Sequence, residues 1–150
     1  MNWTWVNGKV IQGHRVASGL AEDTPYEDGS VVLQAPFFKE RGVDISPYYP
    51  GTVNVDISPL RPERFHYDTT LHEVPWHSSI PPETFSFLSM QLKFRDEIFP
   101  GLLYYPHADT KPSHYTPTYI LEVFAPWIEN LNYRDEIEAA YPEGAVEMKS

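Results

Sequence analysis

The sequence contains no cysteine. Disulfides, thiolate metal sites and a cysteine nucleophile are excluded together, and the absence suits a reducing cytoplasm. No apolar run approaches the roughly 18 residues that a membrane-spanning helix requires. The opening residues, MNWTWVNGK, show no basic region followed by an apolar stretch, so no signal peptide is expected. Basic residues are scarce: 11 Lys and Arg face 21 Asp and Glu, a formal net charge of −10. Such a field repels phosphate backbones and argues against a nucleic-acid partner. It still admits a nucleotide, because a divalent cation inverts the field locally. Repeats, low-complexity segments and inter-domain linkers are also missing. The expectation is one domain over residues 1–150, cytoplasmic, without a membrane or nucleic-acid partner.

Aromatic residues make up 15% of the chain, and there are 15 prolines. That combination predicts many short elements joined by stiff turns, which suits β structure better than long helices. Strands are expected over Gly8 to Ala17, Tyr48 to Pro59, Leu71 to Val74, Phe85 to Phe94 and Tyr119 to Phe124. Further strands are expected over Ala145 to Met148 and over Ile98 to Tyr105, the latter broken at Pro100-Gly101. Val31 to Phe38 reads as a short helix or strand, and most of Arg61 to Glu83 as loop. Ile128, Leu131, Ile137 and Ala140 recur near helical spacing, which predicts a helix over Trp127 to Tyr141.

Within Tyr48 to Pro59, the residues YYPGTVNVDI place a Pro-Gly turn directly before an alternating segment. Proline presets φ, and glycine tolerates positive φ. Val53, Val55 and Ile57 share one strand face, so Thr52, Asn54 and Asp56 share the other. Two short oxygen-bearing side chains beside a rigid turn fit a Mg²⁺ site, since this hard cation takes oxygen ligands and shares them with substrate phosphates. A plain hairpin with two polar strand residues accounts for the same spacing. Among the six histidines, His107 and His114 with Asp109 offer donors for zinc or iron, although their spacing matches no metal motif. Ser18, Ser113 and His114 form no nucleophile signature of the G-x-S-x-G kind.

Three segments in order, HRVASGL (His14 to Leu20), YYPGTVNV (Tyr48 to Val55) and SHYTPTYILEVFAP (Ser113 to Pro126), resemble the archaeal CTP-dependent riboflavin kinase family. The resemblance runs from about Gly8 to Gly144, while Leu60 to Pro112 matches only in its strand pattern. It implies a mainly β, single-domain barrel of the cradle-loop type with one or two helices. It also implies Mg²⁺-dependent transfer of the γ-phosphate of CTP to riboflavin or a related small molecule. On that basis Thr52 and Asn54 correspond to the metal-binding pair. Ser18, Gly19, Leu20, Ala21, Glu22, Asp23 and Thr24 correspond to the nucleotide loop. Ser113, His114 and Glu122 correspond to the flavin side.

Two departures run in the same acidic direction. The family's loop reads GLGEG where this chain reads GLAEDT, so Asp23 sets a negative charge where a phosphate is expected. Such a charge at about 4 Å and an effective dielectric near 20 opposes binding by roughly 4 kcal/mol before screening. After Ala125-Pro126 the family carries basic residues, whereas here Trp127, Ile128, Glu129 and Asn130 follow. A non-catalytic nucleotide- or flavin-binding protein with a degraded phosphate loop is therefore the alternative expectation. An enzyme acting on a sugar or polyol that keeps only the metal motif is a third.

Overall fold

In the computed structural model of the chain, the residues described are 2–11, 26–27, 31–107 and 119–149, with Tyr26 and Glu27 described by their backbone alone. The strands in chain order are β1 (Trp3–Ile11), β2 (Tyr26–Glu27), β3 (Thr52–Asp56), β4 (Pro62–Phe65) and β5 (Thr69–Val74). They continue with β6 (Glu83–Phe94), β7 (Glu97–Pro106), β8 (Ile120–Phe124), β9 (Glu136–Pro142) and β10 (Val146–Met148). The helix among the described residues is α1 (Val31–Glu40).

The main sheet follows the order β1-β9-β6-β7-β8-β3, and β3 pairs back onto β1, so these strands form a closed ring. Closure leaves little open edge, which is how antiparallel sheets avoid unpaired backbone groups. β2 adds to β3, β5 adds to β6, and β4 with β10 makes a separate two-stranded ribbon. All pairings are antiparallel.

The alternation expected over Phe85 to Phe94 is realised in β6, and both of its faces are covered. Leu88, Met90 and Leu92 join Val10, Val53, Val55, Leu103, Leu121, Val123 and Ile137 in one buried cluster. Phe85 and Phe87 join a second cluster with Phe38, Tyr104 and Phe124. β6 and β7 connect through Arg95-Asp96, both at positive φ (51° and 66°), between the paired Phe94 and Glu97. Positive φ at both loop residues is the signature of the type I′ turn, whose twist matches that of the strands it joins.

Helix α1 buries Val31, Gln34 and Phe38, spaced so that they share one face. The Phe38 ring meets Phe85 and Phe87 edge-on at 5.0 and 5.2 Å. The helix ends at Gly42, at φ 99°: Gly42 N–H donates to Lys39 O and Val43 N–H to Phe38 O. That bond pair is a Schellman cap, completed by the apolar contact expected between Phe38 and Val43, both of the second cluster.

Three expectations are corrected. Trp127 to Tyr141 is not a helix. Asn130 and Arg134 take positive φ (65° and 76°), which a right-handed helix cannot absorb, and Glu136–Pro142 forms β9. β9 pairs with β1 from Trp3–Pro142 to Lys9–Glu136 and with β6 at Gln91 to Lys93, so pairing distant in sequence wins over the local helical spacing. Pro100-Gly101 does not break β7: Gln91 lies across from Pro100 and Met90 across from Gly101. Proline's fixed φ lies within the extended region, so the strand runs through it. Third, Arg61 to Glu83 holds β4 as well as β5. Among the described residues no helix is long and apolar enough to cross a membrane.

Candidate functional site

The turn before β3 is tight. Gly51 N–H donates to Tyr49 O at 2.8 Å, a three-residue closure centred on Pro50, whose fixed φ suits an inverse γ-turn. Positive φ is not used there, since the glycines in that region are Gly42 and Gly144. Tyr49 N–H in turn donates to Ala125 O at 3.0 Å. The PGT and AP segments, more than seventy residues apart in sequence, are therefore tied by a backbone bond.

From this turn β3 runs between β8 on one edge and β1 with β2 on the other. Val53 and Val55 are fully buried within the ring's core, and alternation sends Thr52 and Asn54 to the opposite face. These two polar residues are themselves buried, at 3% and 2% relative exposure. Asn54 lies directly across from Glu122 on β8 and from Ile11 on β1. Directly opposed residues of an antiparallel pair have Cβ atoms about 4.5–5.5 Å apart, so Asn54 and Glu122 are side-by-side neighbours. The strand register thus brings together Thr52, Asn54 and Glu122.

Buried polar side chains on a sheet face carry a desolvation cost unless a partner or ligand satisfies them. The donor set here is two neutral oxygens with a carboxylate alongside, which suits a hard cation that retains water. Among the described residues no three His, Asp or Glu side chains gather as a metal-ligand group.

The other site residues expected from sequence, Ser18, Gly19, Leu20, Ala21, Glu22, Asp23, Thr24, Ser113 and His114, lie outside the described residues. Their attachment points do not. β1 ends at Ile11, across from Asn54, and β2 begins at Tyr26, across from Val53. The chain therefore departs from and returns to β3 beside the Thr52–Asn54 pair. On the other side, β7 ends at Pro106 and β8 begins at Ile120, two residues before Glu122.

Glu122 is half-buried and borders a small open recess with Phe65, Leu103, Tyr105, Ile120 and Leu121. The rings of Phe65, Tyr67 and Tyr105 stack beyond it, with centroids 5.5 and 6.0 Å apart. Burial, and secondarily the neighbouring Tyr105, pushes the Tyr67 phenol well above its ordinary range, so it stays protonated. His107, the described member of the suggested histidine group, sits at the end of a hydroxyl chain: 2.6 Å from Ser86 Oγ, itself 2.7 Å from Thr70 Oγ1. Ser86 is fully buried, so this pair reads as a satisfied polar network rather than an accessible nucleophile and base.

One feature escaped the sequence reading. Tyr48 and Tyr49 diverge at the turn: Tyr48 stacks on Phe124 at 6.3 Å, while Tyr49 meets Trp127 at 5.1 Å. The doublet directly before Pro50 was the available signal, but nothing local indicated that Trp127 would lie against it. Comparison with models of known protein families and with curated proteins gave no match.

Proposed function

We propose that the chain is a divergent riboflavin-kinase-like protein on a cradle-loop-type β-barrel, transferring the γ-phosphate of CTP to riboflavin or a related small molecule. The observation that carries this reading is the register of β3 and β8. It sets Asn54 of the turn motif across from Glu122 of the late motif, with Thr52 on the same face. Two segments that resembled the family separately are adjacent across one strand pair, which supports this reading.

In this reading Thr52 and Asn54 hold Mg²⁺, which when bound supplies charge neutralisation to the phosphates. The Tyr49–Gly51 turn keeps those two oxygens in place. The acceptor hydroxyl forms the new P–O bond as the bond between the γ-phosphorus and its bridging oxygen breaks, leaving CDP and the phosphorylated acceptor. The hydroxyl proton passes to a base, and Glu122 is the carboxylate beside Asn54. Transfer of this kind rests mainly on positioning and charge neutralisation, so no covalent nucleophile is needed.

The test is a thermal-shift and calorimetric comparison with CTP, ATP, riboflavin and FMN, each with and without Mg²⁺. A ligand present at 100 times its Kd stabilises the folded state by about 2.7 kcal/mol, or roughly 5–11 °C in Tm at this size. Asn54→Leu, similar in volume, should keep the fold by circular dichroism and lose Mg²⁺-dependent nucleotide binding. Unchanged nucleotide affinity in that variant would return Thr52 and Asn54 to ordinary strand positions and refute the reading.

A second reading, nucleotide or flavin binding without transfer, draws on the segment after Pro126, where Trp127, Glu129 and Asn130 are exposed and no Lys or Arg is present. A product assay separates the two: FMN formed from CTP and riboflavin supports transfer, and tight binding of both without FMN supports the binder.

A further inference from the structure

We infer that Lys9 is the cation that holds the nucleotide's phosphates beside the Thr52–Asn54 pair. The inference rests on the reading of that pair as the phosphate site, and it supplies positive charge that the segment after Pro126 lacks. The end of β1 lies beside β3 in the register Lys9–Asp56, Val10–Val55 and Ile11–Asn54. Side chains alternate between the two faces of a sheet, and opposed residues share a face. Val10 and Val55 are fully buried in the ring's core, so Lys9, Asp56 and Asn54 occupy the other face together. There Lys9 is the diagonal neighbour of Asn54, about 7–8 Å away. The flexible four-carbon stem of lysine covers that span.

Charge is the second observation. Along β1, β3 and β8, the charged residues on the face of Asn54 are Lys9, Asp56 and Glu122. Two carboxylates repel a phosphate, and Lys9 alone of the three attracts it. The ordinary use of such a lysine is a cross-strand ion pair, and its register offers two: Asp56 on β3 and Glu136 on β9. Among the described residues it forms an ion pair with neither. Asp56 Oδ1 instead accepts from Ser58 N–H at 2.8 Å. Lys9 is exposed, so its ammonium is hydrated and open to an anion arriving at this face. Lysine binds phosphate as a point charge, without reading what the phosphate carries. The contact should therefore serve CTP, ATP and inorganic tripolyphosphate alike, and contribute nothing to riboflavin.

The experiment titrates the protein, Lys9→Met and Lys9→Arg with CTP, inorganic tripolyphosphate and riboflavin, all with Mg²⁺, by calorimetry at low and high salt. The expected result is about a tenfold loss of affinity for both CTP and tripolyphosphate in Lys9→Met, smaller at high salt. Lys9→Arg keeps the charge and should retain most of the affinity, and riboflavin should bind all three proteins equally. Equal CTP affinity in Lys9→Met and the parent overturns the assignment. An equal loss for riboflavin also overturns it, since that ligand has no phosphate to hold. A parent that binds neither CTP nor tripolyphosphate overturns this assignment and the metal reading together. Asn54→Leu separates the two. If it leaves CTP binding intact while Lys9→Met weakens it, the metal reading fails and the lysine contact stands. If it abolishes CTP binding while Lys9→Met has no effect, the metal reading stands and the lysine contact falls.

Discussion

Replacing Gly8 by alanine should strain the ring at the seam between β1 and β3. β1 and β3 are joined by Lys9–Asp56, Val10–Val55 and Ile11–Asn54, and Gly8 immediately precedes them. A Cβ built on Gly8 would lie 2.5 Å from Val55 Cγ1 and 3.2 Å from the Asp56 carbonyl oxygen. Comfortable carbon–carbon contacts are about 3.5–4.0 Å, so the first distance requires movement. Val55 is fully buried and branched at Cβ, with little rotamer freedom for escape. Overpacking of this kind costs about 1–3 kcal/mol, offset by about 0.4–1 kcal/mol from the lower freedom of alanine in the unfolded chain. The net loss of about 1–2 kcal/mol corresponds to a fall in Tm of roughly 2–8 °C for a domain of this size. Gly101→Ala serves as the comparator: its added Cβ meets Val123 Cγ1 at 3.0 Å and Phe124 O at 3.1 Å, so its cost should be smaller. In a Val55→Ala background the Gly8→Ala cost should shrink, because the two changes share one contact. Thermal and urea unfolding of the parent, the three single variants and the Gly8→Ala/Val55→Ala double variant decide the matter. A Gly8→Ala Tm equal to or above that of the parent would refute the reasoning, because close approach of the two strands would then not depend on glycine.

Tyr104→Phe should lower stability by about 1–3 kcal/mol in urea unfolding, because the Tyr104 hydroxyl donates to Gln34 Oε1 at 2.8 Å inside the second core. Among the described residues Gln34 Nε2 is already buried without a partner, so adding Gln34→Leu to Tyr104→Phe should recover most of the loss. Glu147 titrates below its ordinary 4.5, chiefly through its hydrogen bond with His66 at 2.6 Å. The folded carboxyl pKa is thus the lower one, so this pair's stabilisation is present above the ordinary carboxylate range and fades as pH falls through the lowered value. In His66→Ala, carboxyl titration followed by NMR should move Glu147 back towards 4.5. No movement would show that the bond has no influence on the carboxyl.

Much of the sheet was legible in the order of residues because its information is local. Alternation over Phe85 to Phe94 predicts a strand from local order, and β6 follows. The same period assigns Val53 and Val55 to one face and Thr52 and Asn54 to the other, which any extended backbone imposes. The Pro-Gly turn was likewise local, although its closure needs the proline and not a positive φ at Gly51. Where two local patterns competed, contacts distant in sequence chose between them. Ile128, Leu131, Ile137 and Ala140 fit a helix, yet Ile137, Ala139 and Tyr141 also fit a strand. The strand prevails because β1 and β6 offer it hydrogen-bonded edges and a core that a helix at this position could not complete. The candidate site divides the same way. Its oxygen donors could be named from one short motif. The meeting of Asn54 with Glu122, and of Tyr49 with Trp127, depends on strand register and on one backbone bond between distant segments. Such juxtapositions are products of chain closure, and local periodicity does not carry them.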